Sequence, residues 1–154
     1  MEWRLRMDYK EILNILAPCG MDCTRCLGYE NGPVREHAKE LQTLLNGFGL
    51  YAERFSSFVS AFKKYSSFEE ILGVIAGVDC AGCRDNEAKY PLCSIARCHK
   101  DKDIDFCFQC IEYPCNPEGI DSYLHKRWLE MNNKMKAIGV EAYYEETKDE
   151  PRYK

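Results

Sequence analysis

Cysteine spacing is the feature that most constrains this 154-residue sequence, which contains ten cysteines in two groups. The first group lies near the start and the second spans the middle of the chain: Cys19, Cys23 and Cys26, then Cys80, Cys83, Cys93, Cys98, Cys107, Cys110 and Cys115. Three pairs are separated by two residues, namely Cys23/Cys26, Cys80/Cys83 and Cys107/Cys110. That spacing lets both thiolates of a tight turn point at one ion about 2.3 Å away. The pattern therefore predicts metal binding, with all ten cysteines as candidate ligands.

The cellular compartment decides whether clustered cysteines are metal ligands or disulfides. Residues 1–20 interrupt their apolar stretches with Asp8, Lys10 and Glu11, so they lack the continuous apolar core of a signal peptide. No apolar run approaches the roughly 20 residues of a membrane span. We therefore expect a cytoplasmic protein that does not enter a membrane. Thiols stay reduced in the cytoplasm, where clustered cysteines hold metal or do chemistry.

The charge distribution argues against a nucleic-acid partner. The net charge is −4, and the 21 basic and 25 acidic residues are intermixed, so no single-sign surface faces a phosphate backbone. None of the three histidines is followed by a second at the spacing of a C2H2 zinc finger. His37 and His125 lie among polar neighbours and are interpreted as surface residues. Only His99, which follows Cys98, is a candidate metal ligand.

Helical patterns separate the cysteine segments. Asp8 followed by Glu11 has the form of a capping box, and Pro33 suits the first position of a helix. Helical spacing of apolar residues predicts one helix over 52–65 and another over 117–138, the first from Phe55, Phe58, Val59 and Phe62.

The middle of the chain, residues 78–115, has almost no helical period and needs an external organiser such as metal. The charged tail, residues 140–154, is expected to be loosely ordered. The length fits one domain over residues 1–154. The predicted fold is therefore mainly α: a small single domain of about five helices, with irregular or short β-hairpin cysteine knuckles around metal.

Zinc is the predicted metal because its structural sites take four thiolates, or three thiolates and a histidine. Ten cysteines are enough for one or two ions. The most economical site joins two of the CxxC pairs: Cys80, Cys83, Cys107 and Cys110. An alternative site uses four cysteines within 18 residues: Cys98, Cys107, Cys110 and Cys115. The first three cysteines then need a fourth ligand, and the candidates are Cys93, Cys98, His99 and Cys115.

Two other uses of the thiols remain open at this stage. The CxxxCxxC spacing of Cys19, Cys23 and Cys26 is that of radical-SAM enzymes, so an iron–sulfur cluster is the alternative cofactor. Such enzymes need a β/α barrel, and this chain has helical patterns with scarcely a strand between them. Alternatively, Arg25 and Arg84 beside CxxC pairs could activate a thiol, although no thioredoxin-like βαβ pattern surrounds them.

Four motifs in order carry a family resemblance: APCGMDCTRCLGY (17–29), CAGCR (80–84), CSIARC (93–98) and FCFQCIEYPC (106–115). Together they resemble a family of small prokaryotic cysteine-rich proteins catalogued as domain of unknown function 3795. The resemblance implies a zinc-binding protein of bacteria or archaea, and it implies no activity.

The function expected from the sequence is that of a zinc-binding cysteine-rich protein whose metal is mainly structural. Such a protein serves as a module that binds another protein or a small molecule. The alternative is an iron–sulfur or open-site zinc protein with redox or enzymatic activity. The sequence assigns no catalytic residue, and it leaves open whether the protein is an enzyme.

Overall fold

The fold is helical, as predicted. A computed structural model describes residues 7–84 and 93–153, and in these ranges the backbone forms seven α-helices where about five were predicted. Their bounds are α1 Tyr9–Leu13, α2 Pro33–Leu44, α3 Gly49–Phe55, α4 Tyr65–Ala76, α5 Ile95–Asp101, α6 Ser122–Ile138 and α7 Val140–Thr147. Two short 3-10 helices cover Ser60–Lys64 and Cys107–Gln109. Within the same ranges, β structure is limited to two isolated bridges, Leu16 with Asp22 and Tyr29 with Cys80, so β-hairpin knuckles are not observed.

The chain groups into two compact units. The first contains Met1–Thr24 and Ala81–Lys154, and the second contains Arg25–Cys80. The unit boundaries fall inside two of the CxxC pairs, because Cys23 and Cys83 belong to the first unit while Cys26 and Cys80 belong to the second.

The first unit is built around one apolar core, formed by Ile12, Leu16, Phe106, Met135, Val140 and Tyr143. Helix α1 begins with the predicted capping box. The Asp8 carboxylate accepts from the Glu11 backbone N–H at 2.9 Å, and the Glu11 carboxylate accepts from the Asp8 backbone N–H at 2.9 Å. The expectation of a loosely ordered tail is wrong for residues 140–147, which form α7. Its first turn buries Val140 and Tyr143, and this apolar burial orders the segment.

Helix α6 is shorter than predicted. It begins at Ser122 instead of residue 117, because Gly119 has a positive φ of 81° that a right-handed helix cannot contain. Asp121 is the N-cap, and its carboxylate accepts from the Leu124 backbone N–H at 2.8 Å. The helix ends at Gly139, as the sequence indicated.

The second unit contains α2, α3 and α4, with α2 packed on α4 through Ala38, Leu72 and Ala76. The continuous helix predicted over 52–65 is wrong, because α3 ends at Phe55. The Ser56 hydroxyl donates to the Glu53 carbonyl at 2.6 Å and the Ser57 hydroxyl donates to the Arg54 carbonyl at 2.7 Å. Such local bonds compete with the helical ladder.

Candidate metal centre

Eight of the ten cysteines belong to the first unit, and none of the ten forms a disulfide in the structure. The eight are Cys19, Cys23, Cys83, Cys93, Cys98, Cys107, Cys110 and Cys115. They lie on four stretches of chain: the loop after α1, residues 81–84, α5 with the two residues before it, and the segment between α5 and α6.

A tight turn presents the pair Cys107 and Cys110. The 3-10 helix over Cys107–Gln109 closes with a bond from the Cys110 N–H to the Cys107 carbonyl at 3.1 Å. The Cys110 Sγ then accepts from the Glu112 backbone N–H at 3.4 Å. Backbone N–H groups directed at sulfur stabilise a thiolate and orient it as a ligand. The local backbone is therefore suited to a CxxC metal knuckle.

Several thiols of this region influence one another electrostatically. Burial raises the pKa of Cys107 to about 11; the neighbouring Trp128 opposes the rise, and Cys115, Cys98 and Cys93 add to it. Burial likewise raises the pKa of Cys115, followed by the charges of Cys98 and Cys110. These influences link Cys98, Cys107, Cys110 and Cys115, the alternative set considered from the sequence, and they also include Cys93; the structure does not test which of them share an ion.

A buried amide connects two cysteine segments of the first unit to α6. Asn132 is 0 % exposed; its Nδ2 donates to the Cys19 carbonyl at 2.9 Å and its Oδ1 accepts from the Phe108 N–H at 3.0 Å. Sequence reasoning missed Asn132. The available signal was a polar residue on the apolar face of α6, one turn after Trp128.

The loop carrying Cys19 is held against the same helix. Gly20 has a φ of 94°, and a Cβ placed on it would lie 2.7 Å from the Met135 Cε and 3.2 Å from the Met131 Cβ. Both the backbone conformation and the close approach to α6 therefore require glycine beside Cys19. The Cys107 N–H also donates to the Pro18 carbonyl at 3.0 Å, which joins this loop to the knuckle.

Cys23 and Cys83 form a separate thiol pair. Hydrogen bonding from Cys83 is the main reason that the pKa of Cys23 falls to about 7, and Arg152 also lowers it, while burial opposes the change. Burial has the opposite result at Cys19, whose pKa rises to about 12. Neighbouring cysteines in one loop therefore have very different acidities.

Alkylation of the metal-free protein at neutral pH is expected to modify Cys23 ahead of Cys19 and Cys107, because the thiolate is the reactive form. The Cys23 rate should rise with a midpoint near pH 7. Its pKa is depressed from 9.0 on folding, so ionised Cys23 favours the folded state. That contribution is complete above pH 9 and disappears as the pH falls through 7.

Mass spectrometry after brief iodoacetamide labelling measures the site-specific rates. Cys83→Ala serves as the test variant, because it removes the side-chain hydrogen bond to Cys23 and the midpoint should move upward. Labelling that is fastest at Cys19 would contradict the assignment.

Cys26 and Cys80 belong to the second unit, where backbone bonds place their segments side by side. The Cys80 N–H donates to the Gly28 carbonyl at 3.1 Å, and the Glu30 N–H donates to the Cys80 carbonyl at 2.9 Å. The Tyr29 N–H turns back to the Cys26 carbonyl at 3.1 Å. The structure does not test the predicted site of Cys80, Cys83, Cys107 and Cys110, so it stays a prediction.

His37 is exposed, as expected for a surface residue, and lies 3.4 Å from Glu40. His125 is half-buried; it packs against Trp128 with ring centroids 5.3 Å apart, and its Nε2 lies 3.2 Å from the Cys115 carbonyl oxygen. His99 is buried, and burial together with Arg84 holds its pKa below the usual value. Its role as a ligand is untested. In residues 7–84 and 93–153, no three side chains of His, Cys, Asp or Glu are arranged so that they could hold an ion.

Comparison with known proteins identifies the family. A family model described as protein of unknown function (DUF3795) matches residues 15–118, a region that contains all ten cysteines. The chain belongs to this family. The resemblance carried by the four cysteine motifs is thereby confirmed. No curated protein and no solved structure matches the chain significantly. In the ranges covered by the structure of this DUF3795 protein, every helix is too short or too polar to cross a membrane.

Proposed function

We propose that this protein binds zinc through cysteine thiolates, with Cys98, Cys107, Cys110 and Cys115 as a closed structural site. The observation that supports the proposal is the electrostatic influence of Cys98 and Cys115 on Cys107, and of Cys98 and Cys110 on Cys115, within one unit. Four like-charged thiolates repel one another, and a divalent cation removes that repulsion. Zinc suits such a set because thiolates are soft ligands that it binds in a tetrahedron.

The donor set fits zinc in its chemistry. The cysteines form no disulfides, and the knuckle at Cys110 directs a backbone N–H at sulfur. An ion has to draw the thiols together, since the described residues contain no ready set of three ligands. When bound, zinc supplies charge neutralisation and fixed angles between the ligands. Residues 102–121 contain no α-helix and gain most from that constraint.

The biological role that follows is that of a cytoplasmic, non-catalytic module that binds a protein or a small molecule. A thiolate-ligated ion with four protein ligands has no open position for a substrate, so it contributes stability and shape. Cys19, Cys23 and Cys26 are the candidates for a second ion.

A second candidate function is an open zinc site or an iron–sulfur cluster at the first cysteine group. The observation that favours it is the pKa of Cys23 near 7, since a thiolate available at neutral pH is a ready ligand or nucleophile. The neighbouring Arg152 also compensates negative charge there. This alternative predicts redox activity or enzymatic activity, which the closed site does not provide.

Elemental analysis of anaerobically purified protein should find one or two equivalents of zinc per chain. Cys110→Ser should lose one equivalent together with folding stability, because it removes a ligand of the closed site. Cys23→Ser, the comparison variant, should retain that equivalent. Mainly iron, with a brown colour and visible absorption, would reject zinc in favour of the cluster. Protein purified without any metal, and unable to take up zinc, would reject both.

A further inference from the structure

A polar cavity of about 630 Å³ lies in the first unit, and the sequence analysis did not foresee it. Its polar lining consists of Arg84, His99, Lys100, Asp103, Asp105 and Gln109. None of the described residues that line it is a cysteine, so the lining contains no member of the proposed closed zinc site, although it includes the candidate ligand His99. Volumes of this order accommodate small organic molecules.

Along one wall of the cavity, the polar groups are hydrogen-bonded to one another. The Gln109 Oε1 accepts from the backbone N–H groups of Asp105 at 3.0 Å and Phe106 at 2.9 Å. The Gln109 Nε2 donates to the Tyr9 hydroxyl at 3.0 Å, and that hydroxyl donates to the Asp105 Oδ2 at 2.9 Å. These bonds hold the Asp105 carboxylate in place, and they pair the polar groups of this wall without a ligand.

Arg84 is anchored on one side and unsatisfied on the other. Its Nε donates to the Leu16 carbonyl at 2.8 Å, and the guanidinium carbon lies 4.8 Å from the centroid of the Phe106 ring. The buried Nη2 has no hydrogen-bond partner in the part of the chain that the structure describes. Burial normally pairs such a group, and a guanidinium is best paired by a carboxylate. Arg84 is therefore preorganised to receive one.

In the described ranges, His99 also has a buried polar atom without a hydrogen-bond partner. Only 8 % of this residue is exposed. A neutral imidazole has a single N–H, so Nε2 is an acceptor when the proton is on Nδ1. Nε2 is buried without a partner among residues 7–84 and 93–153. The cavity thus contains a guanidinium N–H group that lacks an acceptor and an imidazole nitrogen that lacks a hydrogen-bond partner among the residues described.

The charges around the cavity balance. Arg84 and Lys100 are cationic, while Asp103 and Asp105 are anionic. The two carboxylates repel a multiply charged anion such as phosphate, and the two cations repel a simple amine. A molecule with one positive and one negative group can pair its negative group with the cations and its positive group with the carboxylates.

We propose that this cavity binds a small zwitterion of the amino-acid class. The ligand carboxylate pairs with Arg84 and Lys100, and the ligand ammonium faces His99 and the Asp103 carboxylate. The proposal uses no cysteine side chain, and it requires that His99 is not a metal ligand.

Ligand-observed NMR on the full chain, as purified with its metal, tests this binding. The probes are the standard amino acids at millimolar concentration. For the strongest binder, the matched analogues without the amino group and without the carboxylate are compared, together with inorganic phosphate. We expect each analogue and phosphate to bind about ten-fold more weakly or worse, a change of 1.4 kcal/mol. No binding by any amino acid, or tighter binding of phosphate, overturns the proposal.

Two variants locate the site. Arg84→Lys should weaken amino-acid binding about ten-fold because lysine lacks the planar fork, while Arg97→Lys, on the exposed side of α5, should change nothing. Asp103→Asn covers the case in which Arg84→Lys fails to fold. Asp103 is exposed with a φ of 48°, which asparagine adopts readily.

Asp103→Asn should weaken amino-acid binding and strengthen binding of the analogue that lacks the amino group, because it removes one negative charge. Unchanged affinity for both ligands in Asp103→Asn, with the fold verified by the thermal midpoint, overturns the proposal. Zinc content measured on every variant separates loss of this site from loss of the metal.

Discussion

Removal of the metal by a chelator is expected to unfold the cysteine segment of the first unit, residues 93–115, while α2 and α4 of the second unit remain protected. Structural zinc contributes on the order of 10 kcal/mol where the site does not exist without it. Residues 102–121 are irregular, and few helical hydrogen bonds stabilise their backbone when the metal is absent. By contrast, α2 and α4 pack through Ala38, Leu72 and Ala76, none of which is a ligand.

Hydrogen exchange followed by mass spectrometry measures this difference segment by segment. Restoring zinc should restore the protection of residues 93–115, and adding magnesium, which prefers oxygen ligands, should not. If residues 93–115 keep their full protection after chelation is complete, the proposed closed site does not stabilise the fold.

Asn132→Leu is expected to destabilise the protein by about 2–4 kcal/mol, although the change introduces an apolar residue into a buried position. The Asn132 amide satisfies the Cys19 carbonyl and the Phe108 N–H, both at 2.9–3.0 Å. Leucine has a similar volume and leaves both backbone groups unsatisfied. Because these groups lie in the two cysteine segments, zinc affinity should fall as well.

Asn133→Leu is the matched control, since it makes the same change at the adjacent, exposed position. Its Oδ1 accepts from the Tyr113 hydroxyl at 2.7 Å, so we expect a cost of about 1 kcal/mol or less. Thermal or urea unfolding of the two variants, with zinc measured in each, gives the comparison. Equal destabilisation of both variants would show that the buried amide does not hold the cysteine segments together.

Local sequence determined the features that depend on neighbouring residues alone. Asp8 and Glu11 form the predicted capping box, Pro33 begins α2, and Gly139 ends α6, because caps and helix ends are decided within one turn of the chain. The order of the cysteine motifs likewise sufficed to identify the family.

Periodicity failed where local hydrogen bonds or burial decided the outcome. Phe55 and Phe62 do share a face, with ring centroids 5.9 Å apart, yet the serines between them end α3 and leave Phe58 84 % exposed. Similarly, α7 forms in a charged tail because two of its side chains reach the core of the first unit. A single sequence does not reveal which apolar surface a distant segment can reach.

The sequence by itself determined that this is a helical, cysteine-rich member of its family, since helix signals and cysteine spacing are encoded over a few residues. Only the tertiary structure brought Cys98 within electrostatic range of Cys107 and Cys115, and Cys23 beside Cys83. Many pairings satisfy the same spacing rules, and the choice among them depends on contacts between residues far apart in the chain. The burial of Asn132 and the cavity beside Arg84 and His99 also depend on contacts between residues far apart in the chain.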